Sequence, residues 1–405
     1  MFEVLKILIT LAVIVLLLNR KVKMGNAMLA GSGALFLLSG LTAQHLKAAV
    51  VTTATSLSTW EIVLALYFVM CLEYQLRVGG IVNGLMETAR RRLRSDRALL
   101  AIMPAFLGFL PSLGGAVFSA PLVENASKPY KLSAETKTAI NYWFRHVWEY
   151  TNPILASLLL ASQISSIPLN LLISNMVWVT VFSIIIGVLF FLLPLKKTSR
   201  HVIHPATSQD DSNSSYYYVC LAAGPILANF FLVVAMDFSA SVSMALVVLA
   251  MAFILRQNLG NIRAMLAHAF DRKLLWGIVS ILLFQSVLRQ SGTIEEIAVL
   301  LNSLAVSKQV IIGTVAFVAG LLTGTTQGFV AIAFPFVAVL APGDINLAML
   351  AFVLGAAGQM LSPAHLCLLL TLEYFKADFL KTLLPIVLLE AIMVIAACIV
   401  VAIYG

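Results

Sequence analysis

One stretch of the chain concentrates side chains able to do chemistry: Asn141-Tyr-Trp-Phe-Arg145-His146-Val-Trp148-Glu149-Tyr150-Thr151-Asn152-Pro153. Arg145 and Glu149 stand four residues apart, a spacing that sets two side chains on one helix face, where they can pair. Between them, His146 carries an imidazole, a group suited to proton exchange near neutral pH. Two readings stay open. The set is either a structural ion pair or a site in which Arg145 or His146 is an anion ligand and Glu149 a proton acceptor or cation ligand. Trp148 and Tyr150 read as packing or interfacial aromatics. Three further segments bring polar groups. Ser112, Gly114 and Gly115 lie in Pro111-Ser-Leu-Gly-Gly115, and Thr323, Thr325, Thr326 and Gln327 lie in Thr323-Gly-Thr-Thr-Gln-Gly328. Ser362 and His365 lie in Gly358-Gln-Met-Leu-Ser-Pro-Ala-His365. Glycine lets a ligand approach the backbone in such runs, and small hydroxyls and amides supply ligand atoms. Asn152 and Ser362 each precede a proline, which removes a backbone donor and frees a carbonyl one turn earlier.

The rest of the chain makes these groups conspicuous. Of 405 residues, 61% are hydrophobic and 11% charged, and the mean hydropathy is +0.99; soluble domains carry about 25% charge, so a water-soluble globular protein is excluded. The apolar runs are continuous and rich in Leu, Ala and Val over about 20 residues, which points to an all-α polytopic membrane protein rather than a barrel of short alternating strands. A charge at membrane depth costs at least about 2.5–3.5 kcal/mol, so Arg145 and Glu149 need a partner or a cavity. His365 is open between a satisfied buried histidine and a proton-coupling group. Glu61 reads as interfacial, and Glu73 and Glu390 as further proton-path candidates. The four cysteines, Cys71, Cys220, Cys367 and Cys398, show no CxxC spacing, so small core residues are expected and no zinc site. Neither HExxH nor GxSxG occurs, so no enzyme is expected. No cofactor or metal is implied beyond Na⁺ or H⁺ as a coupling ion.

The elements that must position these groups follow from apolar runs and polar breaks. Spans are expected near 3–19, 24–42, 59–78, 140–165, 168–194, 216–236, 239–255, 274–290, 345–371 and 378–404. The segments 99–127 and 309–341 are interrupted by Gly/Ser/Thr clusters, as expected of two half-helices meeting at a tip inside the membrane. Threading both as re-entrant hairpins, with the N- and C-termini outside, puts 21 of the 26 basic residues on the cytoplasmic side, including Arg90, Arg91, Arg92, Arg94 and Arg97. The net charge of +8 is therefore a topology signal, and no nucleic-acid partner is expected. The amphipathic stretches 81–94 and 293–304 precede the hairpins and suit helices lying along the headgroups. Residues 196–215 are polar and Ser-rich, a cytoplasmic linker.

Residues 105–123 align without gaps with 319–337, where Ala105/Ala319, Leu107/Leu321, Gly114/Gly328, Pro121/Pro335 and Val123/Val337 coincide. After each hairpin comes a span broken by a proline, Pro153 in 140–165 and Pro363 in 345–371. Residues 1–195 and 216–405 thus form two repeats of five spans plus one hairpin, and an odd number of crossings inverts one against the other.

In its paired hairpins, its Trp148-Glu-Tyr-Thr-Asn-Pro153 and its Gly358-Gln-Met-Leu-Ser-Pro-Ala-His365, the chain resembles the ion-transporter superfamily of secondary transporters. Within it the chain is similar to an uncharacterised prokaryotic integral membrane family (domain of unknown function 401). The resemblance implies a mobile transport domain of hairpins and broken helices, an elevator-type alternating-access mechanism and a scaffold that forms a homodimer. The Ser-Asn-Thr tip signature of the divalent-anion symporters is absent, so their substrate and sodium sites do not carry over. The function expected is cation-coupled (Na⁺ or H⁺) transport of a small anion, with an organic carboxylate the leading class, across the cell membrane. The alternative is a monovalent-cation/proton antiporter. The residues expected to bind substrate are Ser112, Gly114, Gly115, Arg145, His146, Asn152, Thr323, Thr325, Thr326, Gln327 and Ser362. Those expected to couple the ion are Glu149, Asn152, Thr326, Ser362 and His365.

Overall fold

A computed structural model describes residues 2–92, 95–109, 115–196, 212–293, 296 and 307–404, and the described residues hold helices and turns and no strand. The helices are α1 (Phe2–Asn19), α2 (Met24–Leu38), α3 (Ala43–Thr55), α4 (Leu57–Val78), α5 (Ile81–Arg92), α6 (Asp96–Phe109), α7 (Gly115–Ser127), α8 (Ala134–His146), α9 (Ala156–Ser165) and α10 (Leu169–Gly187). One π-helical turn, Val188–Leu192, extends α10. They continue as α11 (Ser212–Val234), α12 (Ala240–Ile254), α13 (Leu259–Ala269), α14 (Arg272–Gln290), α15 (Lys308–Thr323), α16 (Thr326–Leu340), α17 (Ile345–Met360), α18 (Leu366–Phe375) and α19 (Phe379–Tyr404). The segments Leu57–Val78, Leu169–Leu192, Tyr216–Val234 and Phe379–Tyr404 are long and apolar enough to cross a membrane. Their outer faces are oily: on α19, Leu380, Leu384, Leu388, Ile395, Ile399 and Ile403 are exposed while Glu390 is turned inward. An apolar exterior enclosing a polar interior suits lipid as the solvent.

Both expected hairpins are pairs of helices, α6 with α7 and α15 with α16, and both expected broken spans are pairs as well, α8 with α9 and α17 with α18. The sequence reading leaves out α3 and α13. At 13 and 11 residues they extend about 20 and 17 Å, too short to cross a hydrocarbon core of about 30 Å. Their sequences, AQHLKAAVVTTAT and LGNIRAMLAHA, lack the sustained apolar run by which spans are recognised. Of the two amphipathic stretches, α5 forms as expected over Ile81–Arg92, whereas 293–304 falls almost wholly outside the described residues. So does most of the linker 196–215; its last residues, from Ser212, already belong to α11.

The element order recurs along the chain. Each helix from α1 to α4 and from α6 to α10 has a counterpart starting 210 to 216 residues later, α3 and α13 included. Packing recurs with the halves exchanged. Helix α2 lies on α14 and α12 lies on α4; α3 lies on α14 and α13 on α4. The first arm of each hairpin packs on the broken helix of its own half, α6 on α8 and α15 on α17. The second arm packs on the broken helix of the other half, α7 on α18 and α16 on α9. Polar ties reinforce the exchange: Tyr374 donates to Glu124 at 2.8 Å across α18 and α7, and Asn141 donates to Thr371 at 3.4 Å across α8 and α18. Hairpins and broken helices therefore interlock around one centre, flanked by α10 and α19.

Two glycines set how closely the hairpins approach. A side chain on Gly108 of α6 would run into the backbone carbonyl of Arg145, and one on Gly320 of α15 would run into the carbonyl of Gly355. The absence of a Cβ lets helix backbones touch. Gly108 and Gly320 occupy corresponding places in the two halves, so the same device locks each hairpin to its broken helix.

Candidate functional site

Where the broken helices change direction, their backbone groups are freed and polar side chains collect. Helix α8, started by the Ser133 side chain, which accepts from the Thr136 amide at 3.2 Å, ends at His146. Turns follow as far as Leu155: the Glu149 amide donates to the His146 carbonyl, and those of Thr151 and Asn152 donate to that of Trp148. In the second half, α17 continues to Met360, and only 361–365 is non-helical. Each break then closes with the same small turn. The side chain before the proline accepts the amide two residues on, Asn152 from Ile154 at 3.3 Å and Ser362 from Ala364 at 3.1 Å. This is the Asx or Ser turn that such residues make before proline.

The early end of α8 corrects one expectation. Arg145 and Glu149 do not share a helix face, because Glu149 lies in the turn beyond the helix. The partners of the Glu149 carboxylate come from the other half of the chain. The Gln359 amide donates to Oε1 at 3.1 Å and to Oε2 at 3.3 Å, and the Thr326 hydroxyl donates to Oε1 at 3.4 Å. Hydrogen bonds to an ionised acceptor are the stronger ones, and three of them anchor the carboxylate. Arg145, only 7% exposed, stays within electrostatic reach of it and lies within hydrogen-bonding reach of the Cys367 thiol.

The two histidines meet. His146 Nε2 lies 3.1 Å from His365 Nε2, and His146 Nδ1 lies 2.6 Å from the Tyr142 carbonyl. Tyr142 completes the cluster with its ring edge-on to both imidazoles and its hydroxyl donating to the Met360 carbonyl at 3.0 Å. His146, His365 and Cys367 hold their ligand atoms within 4.8 Å of one another, the arrangement in which the described residues could hold a soft metal ion. The permanent charge of Arg145 beside Cys367 opposes a cation there.

The hairpin tips differ in what is described. Ser112 and Gly114 lie outside the described residues, and Gly115 begins α7. The first tip is still tied to the site: Asn152 donates to the Phe109 carbonyl at 2.9 Å, and the Phe109 ring stands edge-on to Trp148 at 4.9 Å. At the second tip Gly324 turns the chain with φ of +61°, a conformation natural to glycine, and packs against Ser362 and the backbone of Ala364 and His365. Thr323 donates to the Ala319 carbonyl at 2.8 Å, and Thr325 accepts from the Gly328 amide at 3.2 Å. The Thr325 hydroxyl caps the start of α16, while the Thr323 hydroxyl bonds back onto the preceding turn of its own helix. Thr326 reaches Glu149, while Gln327 is half-buried at the same tip.

The structure thus gathers Arg145, His146, Glu149, Asn152, Thr323, Thr325, Thr326, Ser362 and His365 at one centre. The sequence reading missed Tyr142, Gln359 and Cys367 as members of it. Gln359 had a signal: Asn152-Pro153 and Ser362-Pro363 align at an offset of 210, which sets Gln359 opposite Glu149. Among the other acids, Glu61 accepts from the Ser241 amide and hydroxyl, and Glu73 pairs with Arg77 at 3.0 Å and faces His268 at 3.8 Å. Glu73 is thereby occupied at the end of α4, away from the centre. Only Cys71 behaves as a fully buried core cysteine; Cys220 and Cys398 are exposed and Cys367 lies against the site.

A narrow cavity opens beside this cluster. It is lined by Trp143, His146, Val147, Glu149, Tyr150, Ser183, Met360 and Glu390, and it has room for about one water molecule.

The family described as "Protein of unknown function (DUF401)" matches residues 2–404, and the chain belongs to that family. No curated protein matches it. Among solved structures it is similar to the YdaH transporter of Alcanivorax borkumensis, a crystal structure described as having an unusual topology. The TM-score is 0.57 at 16% identity, over 87% of this chain and 86% of that one. At that identity the likeness concerns the fold.

Proposed function

We propose that this member of the DUF401 family is a secondary active transporter that moves a small anion, an organic carboxylate being the leading class, with Na⁺ or H⁺ as the coupling ion. One observation carries the reading: two broken helices and a hairpin tip converge from both halves on a set in which Arg145, His146, Gln359 and His365 are buried and Glu149 and Thr326 half-buried. Buried ionisable groups in a membrane core mark substrate and ion pathways, and discontinuous helices supply free backbone groups for ligands. Arg145 with the paired imidazoles suits an anion; Glu149 suits the cation or proton that moves with it. The recurring helix order and exchanged packing support two inverted repeats. The packing between the interlocked hairpin group and the α2–α4, α12–α14 group, carried by α4 on α9 and α14 on α16 and sparser than that within either group, supports an elevator in which the first moves against the second. The likeness to the fold of a transporter supports the same reading. Placement in the cell membrane with both termini outside, and a homodimer built on the second group, complete it.

The test is uptake of labelled carboxylates by proteoliposomes under an imposed Na⁺ or H⁺ gradient. Gradient-driven accumulation is the expected result. The alternative, a monovalent-cation/proton antiporter, draws on Glu149 and the tip hydroxyl of Thr326, which would carry the ion with no organic substrate. If no carboxylate moves while a Na⁺ gradient drives proton flux, the antiporter replaces the symporter.

A further inference from the structure

Glu390 enters the membrane core from α19, a helix that is otherwise apolar from Ile386 to Tyr404. Its side chain is 3% exposed, it lines the same narrow cavity as Glu149, and its Oε2 atom has no hydrogen-bond partner. Of the elements packed against α19, α8 and the turn after it bring Tyr142, His146, Glu149 and Tyr150 towards it. Helix α10 brings Ser183, and α17 brings Met360, neither of them titratable. No lysine or arginine lines the cavity, and both nitrogens of His146 are already engaged. At Glu390 a carboxylate faces a second carboxylate, and the nearest permanent cation, Arg145, acts on Glu149 and not on Glu390. Burying an uncompensated ion is among the most expensive arrangements in a protein, and it is relieved when a cation or a proton enters.

We propose that Glu390 and Glu149 form the proton-binding site of this protein, with the cavity between them holding the one water that relays the proton. The proton binds a carboxylate oxygen as an O–H, and it leaves to water when the cavity opens to the other side. Two features favour a proton over Na⁺. The space admits about one water, whereas a Na⁺ ion needs a shell of several oxygens, and Gln359 and Thr326 already occupy the Glu149 oxygens that would serve. The chain also treats the position unequally in its two halves. At the repeat offset of 210, Glu390 corresponds to Thr180, which is spent on a hydrogen bond to Thr151 at 3.0 Å. The second acid is thus a feature of one half alone. Its part in coupling rests on the transport reading; its protonation does not.

The experiment is infrared difference spectroscopy of the purified full chain in lipid nanodiscs, recorded between acid and alkaline pH. The wild type is expected to lose a carboxylic-acid C=O band as the pH is raised, with no change on adding Na⁺ at fixed pH. Glu390→Gln and Glu149→Gln should each lose part of that band, and Glu390→Asp should shift it, which keeps the assignment testable if Glu390→Gln does not fold. A Glu390→Gln spectrum identical to that of the wild type overturns the proposal, and so does removal of the band by Na⁺. Proteoliposome assays separate this inference from the functional reading. Failure of every carboxylate to move, with the band still lost in Glu390→Gln, sinks symport and leaves the proton site standing. Proton-driven uptake unchanged in Glu390→Gln overturns its role in coupling.

Discussion

The two broken helices share a backbone plan and differ in chemistry. Each is approached by a hairpin glycine, Gly108 or Gly320, against a helix carbonyl; each breaks before a proline; each closes the break with an Asn or Ser turn. Yet the first carries Arg145, His146 and Glu149, and the corresponding positions in the second are Gly355, Ala356 and Gln359. The second half answers with neutral donors, Gln359 and Thr326, which reach across to the acid of the first. The backbone frame recurs. The asymmetry is chemical: at the two breaks the acid of the first half meets neutral donors of the second, and the second half's own buried acid, Glu390, comes from α19 instead.

The largest effect should follow from removing the charge that the second half lacks. Arg145→Gln is expected to abolish anion binding, a loss of about 2–5 kcal/mol for a buried charge partner, while the protein still elutes as a folded species. Unchanged affinity in a binding titration would remove Arg145 from the site. Next comes the carboxylate–amide pair. Gln359→Glu replaces two donated hydrogen bonds with a like charge and should cost about 1–3 kcal/mol of thermal stability. The exchange Glu149→Gln with Gln359→Glu should restore stability without restoring transport, because the acid then sits on the wrong half. Full recovery of transport would show that the halves are chemically interchangeable.

The shared frame predicts equality. Gly108→Ala and Gly320→Ala each place a methyl group against a carbonyl and should each lower stability by about 1–3 kcal/mol, whereas Gly33→Ala, which meets no neighbour, should be neutral. Very different melting shifts for the two hairpin variants would break the correspondence between the halves. The smallest effects belong to the helix starts. Ser133→Ala on α8 and Asp344→Ala on α17, where the Asp344 side chain accepts from the Asn346 and Leu347 amides, should each lose about 1 kcal/mol in thermal unfolding.

Much of this frame was legible without coordinates. Hairpins and broken helices announce themselves because Gly/Thr clusters and prolines stand out in hydrocarbon, where every backbone group must be satisfied. Helices α3 and α13 were not legible, since short helices of mixed polarity resemble loops when only continuous apolar runs are sought. Arg145 and Glu149 were recognisable as site residues by their rarity, yet their mutual relation was misjudged. Helical spacing assumes that the helix continues, and α8 ends at His146. The tip hydroxyls of Thr323 and Thr325 read as ligand groups in the sequence; in the fold Thr325 caps α16 and Thr323 bonds back onto α15.

The sequence by itself determined that this is a helical membrane protein, because composition and the length of the apolar runs are properties of the chain that no folding alters. Tertiary structure alone decided that Glu149 is held by Gln359 and Thr326, that His146 meets His365, and that Glu390 shares a cavity with Glu149. Those partners lie 177 to 241 positions apart in the chain, and the packing of the first broken helix against α18, α19 and the second hairpin tip brings them within reach of one another.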